Sequence, residues 1–180
     1  MDWIDEVRAR DKRGNQVLFA KDSAFLEDLR SMIASQSYRV LVLWALGLAD
    51  ESVTQLASRY PNDSRPREAL DAARAWAAGE TKMRQAQQKI LACHAVAKGI
   101  NNREDIAMCH AVGQACSVVH TVGHAIGYPL YDLTALVRRY GIDDCAAVVE
   151  ARKNDYVERL IWWSGHPSVH GGTWANFIEG

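Results

Sequence analysis

The stretch Ile106–Tyr131, IAMCHAVGQACSVVHTVGHAIGYPLY, contains no Asp, Glu, Lys or Arg in a chain that is 24% charged. A segment apolar on all faces belongs in a core. It does not read as a membrane span, because His110, Gln114, Ser117, His120, Thr121 and His124 interrupt it, and a span needs about 20 mainly apolar residues. The spacing predicts a buried central helix from Ile106 to Gly127, with Gly113, Ser117, His120, His124 and Gly127 on nearly one stripe. Small residues there would let a neighbouring backbone approach. Pro129 kinks or restarts the helix.

Outward from this element the pattern stays helical. Asn102 is placed to cap the central helix, with Glu104 and Asp105 in its first turn. On its N-terminal side, Thr81–Lys98 turns Met83, Ala86, Ile90, Cys93 and Ala97 inward and stops at Gly99. Before that comes Arg65–Ala78, with Pro66 and Glu68 in the first turn and Gly79 at the end. The loop PNDSRP precedes it. Ser37 opens a longer segment whose Val40–Trp44 run would also suit a buried strand. Its continuation through Leu48, Val53 and Leu56 favours helix, with a break expected near Gly47–Asp50. Beyond the central helix, Leu130–Tyr140 and a segment from Asp143 to Trp163 read as two more helices. These elements predict an all-α, single-domain bundle of about six to eight helices. Residues 1–35 read as a helical appendage, 36–163 as the core domain and 164–180 as an irregular tail.

Composition narrows the function classes. With 180 residues the chain can bury a substantial core, and 21 basic against 22 acidic residues leave a net charge of -1 without a basic face. Nucleic acid and membrane are therefore not expected partners. Cys93, Cys109, Cys116 and Cys145 form no C-x-x-C pair, and Met1 is followed by acidic residues rather than by a basic and then an apolar stretch. The expected location is the cytoplasm.

Two constellations could carry binding. His120 and His124 are one helical turn apart on the expected helix, with Cys116 a turn earlier and His94 on the preceding helix. H-x-x-x-H is half of a zinc site, yet it lacks the Glu of H-E-x-x-H hydrolases. The simpler reading is that these imidazoles hydrogen-bond inside a polar seam, with Glu80 and Gln114 as candidate partners. Arg65, Arg67, Glu68, Asp71, Arg74 and Glu80 form the densest charge group, either an exposed stripe of weak pairs or a structured hub for a partner. No nucleophile elbow, phosphate loop or paired carboxylates appear, so neither a catalytic residue nor a cofactor or resident metal is assigned.

Residues Asp63–Lys98 and Val112–Leu133 resemble the immunity-five-like group of bacterial immunity proteins. The family pattern R-P-R-x-A-x-x-A-A-R-x-W-x-x-G-E is met from Arg65 to Glu80, and G-Q-A followed by H-x-x-x-H-A from Gly113 to Ala125. The chain departs at Gly127 and Pro129, where the family pattern stays rich in alanine. The resemblance implies an all-helical protein that binds and blocks a cognate toxin of a polymorphic system. The two constellations and the resemblance together give the expected binding residues as Arg65, Arg67, Asp71, Arg74, Glu80, His94, Gln114, His120 and His124. The alternatives are a small-ligand or metal-dependent enzyme using the histidine seam, and a homo-oligomeric scaffold suggested by Trp162 and Trp163.

Overall fold

The all-α expectation is met in the computed structural model, which describes residues 2–178 and holds eight α-helices and no strand among them. These are α1 (Trp3–Lys12), α2 (Glu27–Ala34), α3 (Tyr38–Arg59), α4 (Arg65–Ala77), α5 (Met83–Val96), α6 (Arg103–Ser117), α7 (Gly127–Tyr140) and α8 (Ala146–Gly165). Helix α6 packs against α3, α4, α5 and α7, and α3 against α4, α6 and α8. One buried apolar cluster takes side chains from all eight helices, including Val7 of α1, and also holds Leu18, Phe19 and Ile178.

Local chemistry sets most helix ends. The Ser37 Oγ accepts the Val40 N–H at 3.4 Å to start α3. The Asn102 side chain accepts the N–H groups of Glu104 at 2.9 Å and Asp105 at 3.2 Å to start α6. At the end of α4, Glu80 N–H donates to Ala75 O and Gly79 N–H to Trp76 O, with Gly79 at φ +79°. That left-handed residue closes the helix by the double hydrogen bond that glycine favours.

Helix α3 is continuous for 22 residues, so the break expected at Gly47–Asp50 is absent. Buried residues run from Val40 to Leu46 and on through Leu48, Ala49, Ser52, Val53 and Leu56, which is burial on most faces. By length and composition α3 could cross a membrane, but 61% of its most apolar window is already buried inside the protein.

The central helix is shorter than the charge gap predicts. Helix α6 ends at Ser117, and Val118–Thr121 forms a turn that leads into a 3-10 turn at Val122–His124. Two causes act together. Pro129 has no N–H and its ring would collide with the carbonyl of residue 125, so a helix can contain it only in its first turn. Upstream, the Ser117 Oγ donates back to Gly113 O at 2.8 Å, a bond that weakens continuation. Helix α7 restarts at Gly127 and returns antiparallel to α6, bringing Arg139 of its end within 3.9 Å of Glu104.

Helices α3, α7 and α8 meet around one buried carboxylate. Asp132 is 8% exposed, and its Oδ2 accepts from Arg152 Nε at 2.8 Å and from Tyr156 OH at 2.5 Å. Arg152 also donates to Glu51, Asp155 and the Tyr128 hydroxyl. Tyr128 in turn donates to Leu48 O and pairs with Ser52. Burial, reinforced by the Asp132 charge, pushes the Tyr128 and Tyr156 phenols far above their usual range. Removing one partner of such a pair strands the other in low dielectric. Asp132→Ala is therefore expected to lower unfolding free energy by about 3 kcal/mol, read from the urea midpoint at unchanged m-value; a loss within the scatter of surface mutants would show the network to be passive.

Candidate functional site

Helix α4 separates two concave surfaces. On one side lies a cleft of about 650 Å³ between α3 and α4, closed at one end by Trp163 of α8 and by the C-terminal segment. Asp71, Arg74, Ala75 and Ala78 face it from α4, and Val42, Leu43, Leu46 and Gly47 from α3. The C-terminal segment is held there by the Ala175 N–H, which donates to Ala77 O at 2.7 Å. Trp174 stands at the cleft with the Arg39 guanidinium 5.6 Å from its ring centre.

On the other side of α4 is a groove of about 330 Å³ walled by Trp76, Ile90, Leu91, His94, His120 and His124. The three histidines thus share one groove, although not as a helical stripe. His120 sits in the turn after α6, exposed, with its ring 5.9 Å from Trp76 and Nδ1 2.5 Å from Thr121 Oγ1. The expectation that His120 is shielded from water is corrected by the early end of α6, which puts it beyond the helix. His124 is half-buried and its Nδ1 meets Gln114 Oε1 at 2.9 Å. Glu80 reaches neither histidine and lines the cleft instead.

The closest imidazole partnership was not anticipated from the sequence. His94 Nδ1 and His110 Nδ1 are 2.8 Å apart between α5 and α6, and Tyr131 packs 5.2 Å from His110. One nitrogen must donate and the other accept, so at least one ring is neutral. Burial, with the neighbouring His110 and His124, pushes His94 down to about 4, and burial also lowers His110. Gly113 makes the pair fit: a Cβ there would lie 2.2 Å from His94 Nε2. Gly127 plays the same part for Gln114, whose Oε1 would be 2.3 Å from a Cβ. The small residues admit side chains here, where the stripe predicted a neighbouring backbone. Among the described residues no three His, Cys, Asp or Glu converge to hold a metal ion.

The arginines of the charge group are engaged internally. Arg65 grips Asp63 through Nε at 2.8 Å and Nη2 at 2.5 Å. Arg67 pairs with Asp50 of α3 at 2.7 Å, and Arg74 reaches the same carboxylate at 3.6 Å. The guanidinium of Arg67 holds the Asp50 carboxyl below its usual range. The partner is Asp50, across the helix interface, and not Asp71 one turn away. Asp71 and Glu80 are exposed and make no ion pair among the described residues.

The R-P-R element thus ties α4 to α3, and the G-Q-A and H-x-x-x-H-A elements shape the α6–α7 turn, over a span from α2 to α8. A family model described as Imm-5 like putative immunity protein matches residues 31–159 of this span. The chain belongs to that family. No curated protein and no solved structure matches it. In this Imm-5-like chain the matched region takes in the cleft walls of α3 and α4 and the histidine groove, while Trp163 and Trp174 lie beyond it.

The depressed His94 value sets a pH dependence. Above about pH 6.5 the imidazole is neutral folded and unfolded, and its contribution is fully present. Below that, the unfolded chain takes up a proton that the folded chain refuses until about 4, so stability falls as pH drops through this window. Against a His94→Gln variant, wild type should lose an additional 1–3 kcal/mol or so between pH 6.5 and 4. Urea midpoints across that range decide it, and parallel curves for the two proteins would count against a neutral buried pair.

Proposed function

We propose that the protein binds and neutralises a cognate toxin of a polymorphic system, acting in the cytoplasm of the cell that makes both. The observation that carries this reading is the family match over residues 31–159. The surface supports a binding role. Large apolar side chains stand exposed at Leu91, Ile161, Trp162, Val169 and Phe177, several of them beside the cleft or the groove. Exposed apolar groups that adjoin concavities mark contact sites for other macromolecules.

The cysteines belong to the packed interior. All four are free and buried, and burial pushes the thiols of Cys109 and Cys116 up to about 12. Such thiols are poor nucleophiles and poor partners for oxidation.

The test is neutralisation. A toxin-like reading frame adjoining this gene is expressed in a bacterial host with and without the protein. Restored growth together with a stable complex on size-exclusion chromatography is the expected result. Equal killing in both cultures, with both proteins present and folded, would overturn the proposal.

A further inference from the structure

A third concavity lies where the N-terminal segment meets the α6–α7 turn. It measures about 570 Å³ and is walled by α1, the loop 17–21 and the residues around His124. Phe19, Leu130 and Tyr131 make it apolar on one side, and Arg10 and Lys21 bring two cations to it. Among the described residues no carboxylate lines it. The acidic groups nearest in the chain are turned elsewhere. Glu6 accepts from the Ala20 N–H at 2.8 Å and the Ser23 hydroxyl at 2.6 Å, and Asp11 pairs with Arg138 and Arg103. Asp22 is exposed and outside the lining. Arg10 spends only its Nε internally, donating to Val17 O at 3.0 Å, and both of its Nη groups stay available to a ligand. The positive field reaches the opposite wall. Burial, then the charges of His120 and Lys21, holds His124 below the usual imidazole range, and no carboxylate acts the other way.

The walls are fixed without an occupant. Arg10 holds Val17, the Thr134 hydroxyl accepts the Leu18 N–H at 3.0 Å, and Gln114 meets His124 at 2.9 Å. A pre-formed cavity of this size, apolar with a few polar groups, is the usual form of a small-molecule site. Both cations precede residue 31, where the family match begins, whereas His124, Leu130 and Tyr131 lie within it. The N-terminal segment therefore supplies the charge and the family domain most of the wall.

A neutral apolar occupant would cover Arg10 and Lys21 without replacing their water, and a cation would be repelled. A bare inorganic anion would leave the aromatic and leucine surface wet. An anionic head on an apolar body satisfies both halves. We propose that this cavity binds a small organic anion, a carboxylate with an aromatic or branched apolar body. Its head sits at Arg10 and Lys21, and its body covers Phe19, Leu130 and Tyr131. This site goes beyond the immunity reading and does not depend on it.

The experiment uses the full chain, with the backbone amides of Gly123 and Gly127, both in the lining, followed by NMR. The probes are 2-naphthylacetate, the neutral 2-naphthylacetamide and inorganic phosphate. Naphthylacetate is expected to shift the two glycine signals saturably at up to millimolar concentration, with the amide and phosphate each binding at least tenfold more weakly. Lys21→Glu should weaken naphthylacetate binding roughly tenfold. Lys98→Glu, the same change of charge outside the lining, should leave it as in the wild type. The Lys21 side chain is exposed, so the melting temperature should hold; if it falls, Lys21→Met supplies the same comparison. No saturable shift, an amide or phosphate that binds as tightly as naphthylacetate, or equal affinity in the Lys21 and Lys98 variants would overturn the site. No toxin enters these measurements, so their failure leaves the immunity reading standing, and failure to neutralise a toxin leaves the cavity to be decided by the probes.

Discussion

A carboxylate in an apolar core must be compensated, and Asp132 obliges three helices to meet. Its oxygen takes hydrogen bonds from Arg152 and Tyr156 of α8, while Arg152 reaches on to Glu51 of α3 and to the Tyr128 hydroxyl of α7. Trp44 of α3 donates from its indole to Tyr156 O at 3.0 Å, fixing the same stretch of α8 from the other side. Apolar packing alone would let α8 slide or rotate by a fraction of a turn, because the hydrophobic effect is not directional. The hydrogen bonds to Asp132 are directional. They set the register of α8, and two turns further on that register decides where Trp163 stands relative to Gly47. The end wall of the cleft is in this sense a consequence of the buried Asp132–Arg152 ion pair.

The second constraint lies on the opposite face of α4. Gly113 of α6 presents no Cβ to His94 of α5, and Gly127 of α7 presents none to Gln114 of α6, which is what lets these side chains lie so close to the facing helix. Each imidazole then finds a partner: His94 with His110, and His124 with Gln114. A histidine pair at 2.8 Å leaves at least one ring neutral, and burial holds His94, His110 and His124 below the usual imidazole range, so near neutral pH these rings are uncharged. Its role in the fold is polar filling between α5, α6 and the α6–α7 turn, with His120 left outside on the edge of Trp76.

Local signals in the sequence were legible and long-range pairings were not. Ser37, Asn102, Pro66 and Gly79 act on their own neighbours, and each does in the structure what its chemistry predicts. The Ile106–Gly127 helix was overextended because the charge gap reports burial, and a buried turn is as free of charge as a buried helix. Pro129 carried the necessary information, but a proline fixes where a helix may restart more firmly than where the preceding one ends. Asp132 and Arg152 are 20 residues apart on separate helices, and nothing in a periodicity argument joins them. His110 was missed for a related reason: its partner His94 lies on another helix, so the pair has no sequence spacing to recognise.

The arginines of the R-P-R element show how a motif can be read correctly while its partners are assigned wrongly. Helical spacing places Asp71 one turn from Arg67 and Arg74, and such a pair on one exposed helix face contributes little. Asp50 sits across the interface on α3, and a carboxylate that binds two guanidinium groups from α4 also orients one helix against the other. With both arginines drawn toward α3, Asp71 is left facing solvent at the edge of the cleft, and Glu80, just past the glycine that ends α4, joins it there. Arg74 keeps its place in the lining beside them, so the three arginines and three carboxylates of Arg65–Glu80 are sorted by partner and not by sign.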